Sequence, residues 1–136
     1  MPQSLNHITL AVRDIERSFD FYQTALGFSP VAKWPRGAYL ELGELWLALI
    51  LDEERSSEAR PDYSHIAFSV AESEFESKVE QLKSFGCREW SINKSEGSSF
   101  YFLDFDGHRL EIHVGDLESR LATMKKNPWA EFTFYR

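Results

Sequence analysis

His65-Ile66-Ala67-Phe68-Ser69-Val70 repeats, at the same length and with the same leading histidine, the pattern of His7-Ile8-Thr9-Leu10-Ala11-Val12. Both segments alternate in the manner of a half-buried strand, so His7, Thr9 and Ala11 share one face while Ile8, Leu10 and Val12 share the other. The repeat extends beyond these two segments. After the first, Asp14 is placed to cap a helix whose apolar positions Ile15, Phe19, Tyr22 and Leu26 recur at helical spacing, with Gly27 as its stop. Strands are then predicted over Ser29–Trp34, Gly37–Leu42 and Leu45–Leu51, broken at Pro35 and Gly43. After the second segment, Phe75, Val79, Leu82 and Phe85 form a helical stripe ending at Gly86, and strands are predicted over Glu89–Ile92, Phe100–Leu103 and Arg109–Val114. Each half is therefore βαβββ. The fold class expected is α+β, two tandem modules forming a curved mixed sheet around a cup.

The polar stretch between the halves sets the boundaries: module one at residues 1–52, a linker at 53–62 and module two at 63–115. Leu117 to Lys126 is predicted as a terminal helix, followed by an aromatic tail within a C-terminal region spanning 116–136. At 136 residues and 43% hydrophobic content the chain is the size of one compact domain with material for a core. The single Cys87 excludes an intramolecular disulfide, and the first residues lack the basic and apolar regions of a signal peptide, so a reducing cytoplasm is expected. No apolar run approaches the length of a membrane span. A formal net charge of −7 argues against nucleic acid as a partner.

The repeat turns scattered residues into a constellation. If the modules pair through their first strands, His7 and His65 occupy equivalent places facing one cup. Glu111, on the last strand of module two, faces the same side, because Leu110, Ile112 and Val114 take the opposite face. Two imidazoles and a carboxylate suit a borderline divalent ion, and three protein ligands leave positions open for substrate. Aligning the Gly43 and Gly107 turns puts Leu47 where Glu111 stands, so module one lacks the matching carboxylate. His113 shares the face of Glu111 and is read as supporting that ligand; His108 is read as part of its turn, and Cys87 as a packing residue.

The paired βαβββ plan with His, His and Glu resembles the vicinal oxygen chelate superfamily. Asn93-Lys94-Ser95-Glu96-Gly97-Ser98-Ser99-Phe100-Tyr101-Phe102-Leu103-Asp104, running on through Asp106-Gly107-His108 to Glu111 and Gly115, closely resembles the signature of the fosfomycin-resistance glutathione transferases of FosA type. Nearly the whole chain shares in the resemblance, including Ser4–Val12, Gly37–Leu40, Gly43–Trp46, Asp62–His65 and Asp116–Leu121. The resemblance implies that His7, His65 and Glu111 hold Mn²⁺ or another divalent metal, and that glutathione thiolate opens the epoxide of fosfomycin. It further implies Thr9 as a donor near the reacting oxygen and Ser95, Ser99, Tyr101 and Arg120 as phosphonate contacts. Asn93, Ser95, Gly97 and Ser99 match a loop that holds K⁺ as activator. Trp34, Tyr39 and Trp46 would line the thiol channel, with Tyr39 helping to deprotonate the thiol. The family's quaternary plan implies a homodimer whose sites take His7 from one chain and His65 and Glu111 from the other.

One departure stands out: Ser91 occupies the place, three residues before Lys94, where the family pattern carries a phosphonate-binding lysine, and Arg88 and Arg36 are candidates to compensate. Other chemistries compete for the same ligands. A non-haem Fe²⁺ dioxygenase could use two histidines and a carboxylate, although the Ser-rich anion loop speaks against it. A metal-dependent epoxide hydrolase would need a positioned base, yet Arg36, Gly37 and Ala38 stand where that carboxylate is expected. Another thiol transferase acting on a related phosphonate fits the same residues, whereas a sequestering module would need neither ligands nor loop.

Overall fold

The structure, a computed structural model, describes residues 1–136. Module one runs β1 (His7–Val12), α1 (Ile15–Asp20), a π-helical turn over Phe21–Ala25, then β2 (Ser29–Trp34), β3 (Gly37–Leu42) and β4 (Leu45–Leu51). Module two runs β5 (Ile66–Ser69), a 3₁₀ turn over Glu72–Glu74, α2 (Phe75–Ser84), β6 (Glu89–Ser91), β7 (Ser99–Leu103) and β8 (Arg109–His113), and α3 (Leu117–Lys126) comes after it. The starts of α1 and α3 are chemically marked. The Asp14 carboxylate accepts from the Arg17 N–H at 3.0 Å, and Asp116 and Ser119 close a reciprocal capping box at the head of α3. The helix expected to run unbroken to Leu26 instead widens after Asp20. The wide turn puts Phe21, Tyr22 and Ala25 all into the core.

Each module makes one four-stranded mixed sheet, in the orders β1-β4-β3-β2 and β5-β8-β7-β6. In each, the first strand lies parallel to the last and the other pairs are antiparallel. The first strands do not pair with each other inside the chain, so β1 and β5 are free edges and there are two sheets rather than one continuous sheet. The modules meet instead through their helical backs. Phe28 packs edge-on against Phe68, and Phe21 against both Phe85 and Phe105, giving one core shared by both halves.

A buried polar latch joins the halves at the turn between β7 and β8. Asp106, fully buried, accepts from the Arg13 backbone N–H and Nε, each at 3.0 Å, and from the Ser18 hydroxyl at 3.3 Å. Asp104 accepts from Tyr22 Oη at 2.6 Å and from the Asp106 and His108 N–H groups at 2.9 Å. His108 Nε2 reaches the Ala11 carbonyl of β1 at 2.8 Å, so the turn role expected of His108 extends across the module boundary. Burial raises the Asp104 pKa, opposed by His108, Tyr22 and the two backbone donors. Burial, then Asp104, holds the Tyr22 hydroxyl well above its ordinary value. No helix is long and apolar enough to cross a membrane.

Candidate metal and anion site

Strand register decides which residues are equivalent. Ile8 lies opposite Leu47 and Thr9 opposite Ala48, while Ile66 lies opposite Leu110 and Ala67 opposite Glu111. The module-one counterpart of Glu111 is therefore Ala48, one residue beyond the Leu47 expected from aligning Gly43 with Gly107. The five-residue turn from Asp104 to His108, against two residues at Gly43 and Glu44, is what misaligns the glycines. The same register makes Tyr39, opposite Ala48, the counterpart of Tyr101, opposite Glu111.

In module two, His65 and Glu111 meet. His65 Nδ1 lies 2.8 Å from the Tyr63 carbonyl, which can only accept, so Nδ1 carries a proton. In the neutral ring that leaves the Nε2 lone pair aimed at Glu111 Oε1, 3.0 Å away. Two acceptors in that geometry call for a cation between them, either a proton on Nε2 or a metal ion. An orienting carbonyl behind a ligating imidazole is the arrangement that metal-binding histidines use. The donor set fits a divalent ion. His7 does not join it within one chain, where no three such groups converge. It stands exposed on β1, its Nδ1 2.7 Å from Asn6 Oδ1 and its ring 4.4 Å from that of Trp46.

Beside the His65–Glu111 pair lies a cleft of about 490 Å³ lined by Ser91, Lys94, Ser95, Tyr101, Arg120 and Trp129 among others. Three of the four residues expected to hold a phosphonate, Ser95, Tyr101 and Arg120, thus come together. Ser99 sits at the pair itself, donating its hydroxyl to Glu111 Oε2 at 2.6 Å. Arg120 is held by Glu96, Nε to Oε1 at 3.1 Å, and reaches Ser95 Oγ at 3.3 Å. Within one chain neither Arg36 nor Arg88, the candidates to compensate for Ser91, lines this cleft: Arg36 is exposed beside Glu53, Arg88 is exposed, and the cations that share the cleft with Ser91 are Lys94 and Arg120. In the loop, Asn93 Nδ2 donates to the Gly97 carbonyl at 2.7 Å while Asn93 Oδ1 accepts from the Ser95 N–H at 3.1 Å. Gly97 has φ +76°, and a Cβ there would run into the Val114 carbonyl.

The aromatic residues of module one form a row continuous with His7. Trp46 packs on His7, Tyr39 edge-on against Trp46 at 5.2 Å, and Trp34 edge-on against Tyr39 at 4.9 Å. Module two repeats the arrangement around His65 with Trp90 at 5.2 Å and Tyr101 at 6.1 Å, and adds Tyr63. Thr9 lines a separate cleft of about 460 Å³ with His65, Arg55, Arg60 and Arg109, between the β1 and β5 edges. Sequence reading missed Glu96, Lys94, Trp90 and Trp129. For Trp90 the signal was present, since it lies on the strand before that of Tyr101 just as Trp34 lies on the strand before that of Tyr39; nothing in the tail's spacing marks Trp129. Cys87 is half-buried, its thiol pushed up to about 12 by burial first and Asp104 second, which suits a packing residue.

Residues 4–112 match the Glyoxalase/Bleomycin resistance protein/Dioxygenase superfamily. The chain is 49% identical to "Glutathione transferase FosA" of Serratia marcescens over 98% of its length and 96% of that protein's. It is 39% identical to "Metallothiol transferase FosB" of Staphylococcus haemolyticus, over 93% of this chain and 94% of the other. Among solved structures, the fosfomycin resistance protein FosX of Mesorhizobium loti superposes with a TM-score of 0.77 at 30% identity, covering 89% of this chain and 99% of that one. A mutant of FosX from Listeria monocytogenes, solved with Mn(II) and 1S,2S-dihydroxypropylphosphonic acid, gives 0.76 at 30% identity, covering 89% and 99%. The chain belongs to the glyoxalase/bleomycin resistance superfamily and, within it, to the enzyme family of the fosfomycin-resistance transferases of FosA type.

Proposed function

We propose that the protein inactivates fosfomycin by joining glutathione to its epoxide, in a metal-dependent reaction at a site shared between two copies of the chain. The observation that carries this reading is the His65 Nε2 and Glu111 Oε1 pair, two acceptors 3.0 Å apart beside a cleft that holds Arg120 and Lys94. The likeness to glutathione transferase FosA of Serratia supports the thiol, the likeness to the fosfomycin resistance protein FosX of Mesorhizobium loti supports the substrate, and the Mn(II) complex of Listeria FosX supports the metal. Held by His65, Glu111 and a His7 from a second copy, the divalent ion would stabilise the negative charge that develops on the epoxide oxygen as the ring opens. Arg120 and Lys94 supply the positive charge that an acidic chain needs to hold a phosphonate, with Tyr101 and Ser95 as hydroxyl donors. Thr9, on the same face of β1 as His7, arrives with that histidine and donates to the oxygen side of the substrate. The Trp34, Tyr39 and Trp46 row brings the thiol in beside His7, and a hydrogen bond donated by the Tyr39 hydroxyl to the sulfur would favour the thiolate and so help the thiol lose its proton. The Asn93, Ser95, Gly97 and Ser99 loop is assigned to K⁺, its hydroxyl and carbonyl oxygens being the donor type that ion takes.

Two observations favour the shared site. His7 lies apart from its partners within one chain, and both β1 and β5 present unpaired edges.

The decisive experiment mixes metal-stripped protein with fosfomycin and glutathione, with and without Mn²⁺ and K⁺, and follows products by mass spectrometry. A thioether adduct that needs metal and disappears in Glu111→Ala is expected. A water-opened diol in its place would replace the transferase with a hydrolase, and no product from metal-loaded protein would point to another phosphonate.

A further inference from the structure

Behind Glu111 lies a hydrogen-bond chain whose far member, His113, has no part in the proposed reaction. Ser99 Oγ is 2.6 Å from Glu111 Oε2 and also 2.6 Å from His113 Nδ1, while His113 Nδ1 stands farther from Glu111 Oε2 itself, at 3.4 Å. A serine hydroxyl has one proton, and an ionised carboxylate can only accept. The proton therefore goes to Glu111, and His113 Nδ1 must itself carry a proton and donate to Ser99. Direction is thus fixed along the whole chain, from His113 to Ser99 to Glu111 Oε2, which leaves Oε1 turned to His65.

The imidazole at the head of this chain is held in place. A Cβ on Gly97 would stand 3.0 Å from the His113 ring and one on Gly115 3.2 Å from it, so two glycines with φ +76° and +125° flank the ring closely. Its far nitrogen, Nε2, faces Glu96 Oε1 at 3.6 Å, and Glu96 is itself fixed by Arg120. Both His113 and Glu96 have side chains only 14% exposed. A ring so enclosed has little freedom to turn its Nδ1 away from Ser99.

We propose that His113 is a positioning residue for Glu111, acting through the Ser99 hydroxyl to hold the carboxylate with Oε1 aimed at the metal position. Without the Nδ1 donor, Ser99 is free to rotate and Glu111 loses its orienting bond. This inference rests on the metal reading above, and it assigns Ser99 to the ligand carboxylate rather than to the substrate. Such supporting bonds behind a ligand are worth about 10- to 100-fold in metal affinity.

The test is Mn²⁺ binding by electron paramagnetic resonance and calorimetry on the assembled protein, with thermal melting of the metal-free form alongside. His113→Leu and Ser99→Ala should each weaken Mn²⁺ by about 10- to 100-fold, and the double variant should be no weaker than the worse single one if the two 2.6 Å bonds through the serine, rather than the direct 3.4 Å approach of His113 Nδ1 to Glu111 Oε2, carry the effect. His113→Asn, whose amide N–H reaches the place of Nδ1, should recover most of the affinity, whereas His113→Gln, whose amide reaches the place of Nε2, should not. If His113→Leu fails to fold, the Asn and Gln pair decides. Additive losses, Gln recovering more than Asn, or unchanged affinity in a folded His113→Leu would overturn the proposal. Wild-type protein that binds no Mn²⁺ would instead overturn the metal reading beneath it.

Discussion

Ser91 is where the chemistry of a single side chain is most open to test. It lines the cleft beside His65 and Glu111, proposed above to take the phosphonate, together with Lys94 and Arg120, so the cleft holds two cations where a lysine at position 91 would make three. A charge-assisted contact to a phosphonate is worth about 1.5 kcal/mol or more, which is about tenfold in affinity. Ser91→Lys should therefore lower KM for fosfomycin by about that factor with kcat little changed; steady-state kinetics giving an unchanged KM would show that Lys94 already fills the role. Asp104 offers a second test, this one of stability. Its pKa is raised from an ordinary 3.8, burial being the main cause. The native state therefore holds this proton more tightly than the unfolded state does. The associated stabilisation is fully present below pH 3.8 and fades as the pH climbs through the raised value. Asp104→Asn keeps the carbonyl that accepts from Asp106 and His108 and can donate to the Tyr22 oxygen, but it does not titrate. Urea unfolding from pH 4 upward should show the variant gaining on the wild type as pH rises, and parallel curves would remove Asp104 from the pH dependence.

At the scale of elements, the loop between β6 and β7 places Arg120 through Glu96 and Ser95, so its backbone has to be held. Gly97→Ala puts a Cβ into the Val114 carbonyl and forces a left-handed residue to carry a side chain, costing about 1–2 kcal/mol before any clash. The expected result is a melting point several degrees lower together with weaker fosfomycin binding; an unchanged melting point and KM would show the loop adapting freely. The elements themselves were largely readable. β2, β3, β4 and α3 fall on their expected bounds, because Pro35, Gly43 and the Asp116 cap mark the breaks chemically. Two things were not readable. The equivalence of Glu111 with Ala48 rather than Leu47 depends on the longer β7–β8 turn, whose length serves the Asp104 and Asp106 latch and leaves no periodic trace. Glu96, likewise, becomes a partner of both Arg120 and His113 only when α3 folds back over the loop, a contact 24 residues apart in sequence.

The whole molecule poses the question of where one active site ends and the next begins. The latch of Asp104, Asp106 and His108 with Tyr22, Arg13 and Ala11 fixes the two modules back to back, which sets His7 on one sheet and His65 with Glu111 on the other. A sheet edge is also a pairing surface, and β1 and β5 can each find the complementary edge of a second copy related by twofold symmetry. Sedimentation should therefore find a dimer, and a purely monomeric active enzyme would rule out the shared site. Complementation gives a sharper test. His7→Ala and Glu111→Ala should each be inactive alone. Unfolded together and refolded, they should regain activity: a mixed dimer has one site that draws His7 from one chain and His65 with Glu111 from the other, and a second site lacking both. Random reassociation makes half the dimers mixed with one intact site each, so about a quarter of wild-type activity is expected. A site built within one chain is broken in every copy of the mixture, and in that case no activity would return at any ratio of the two variants.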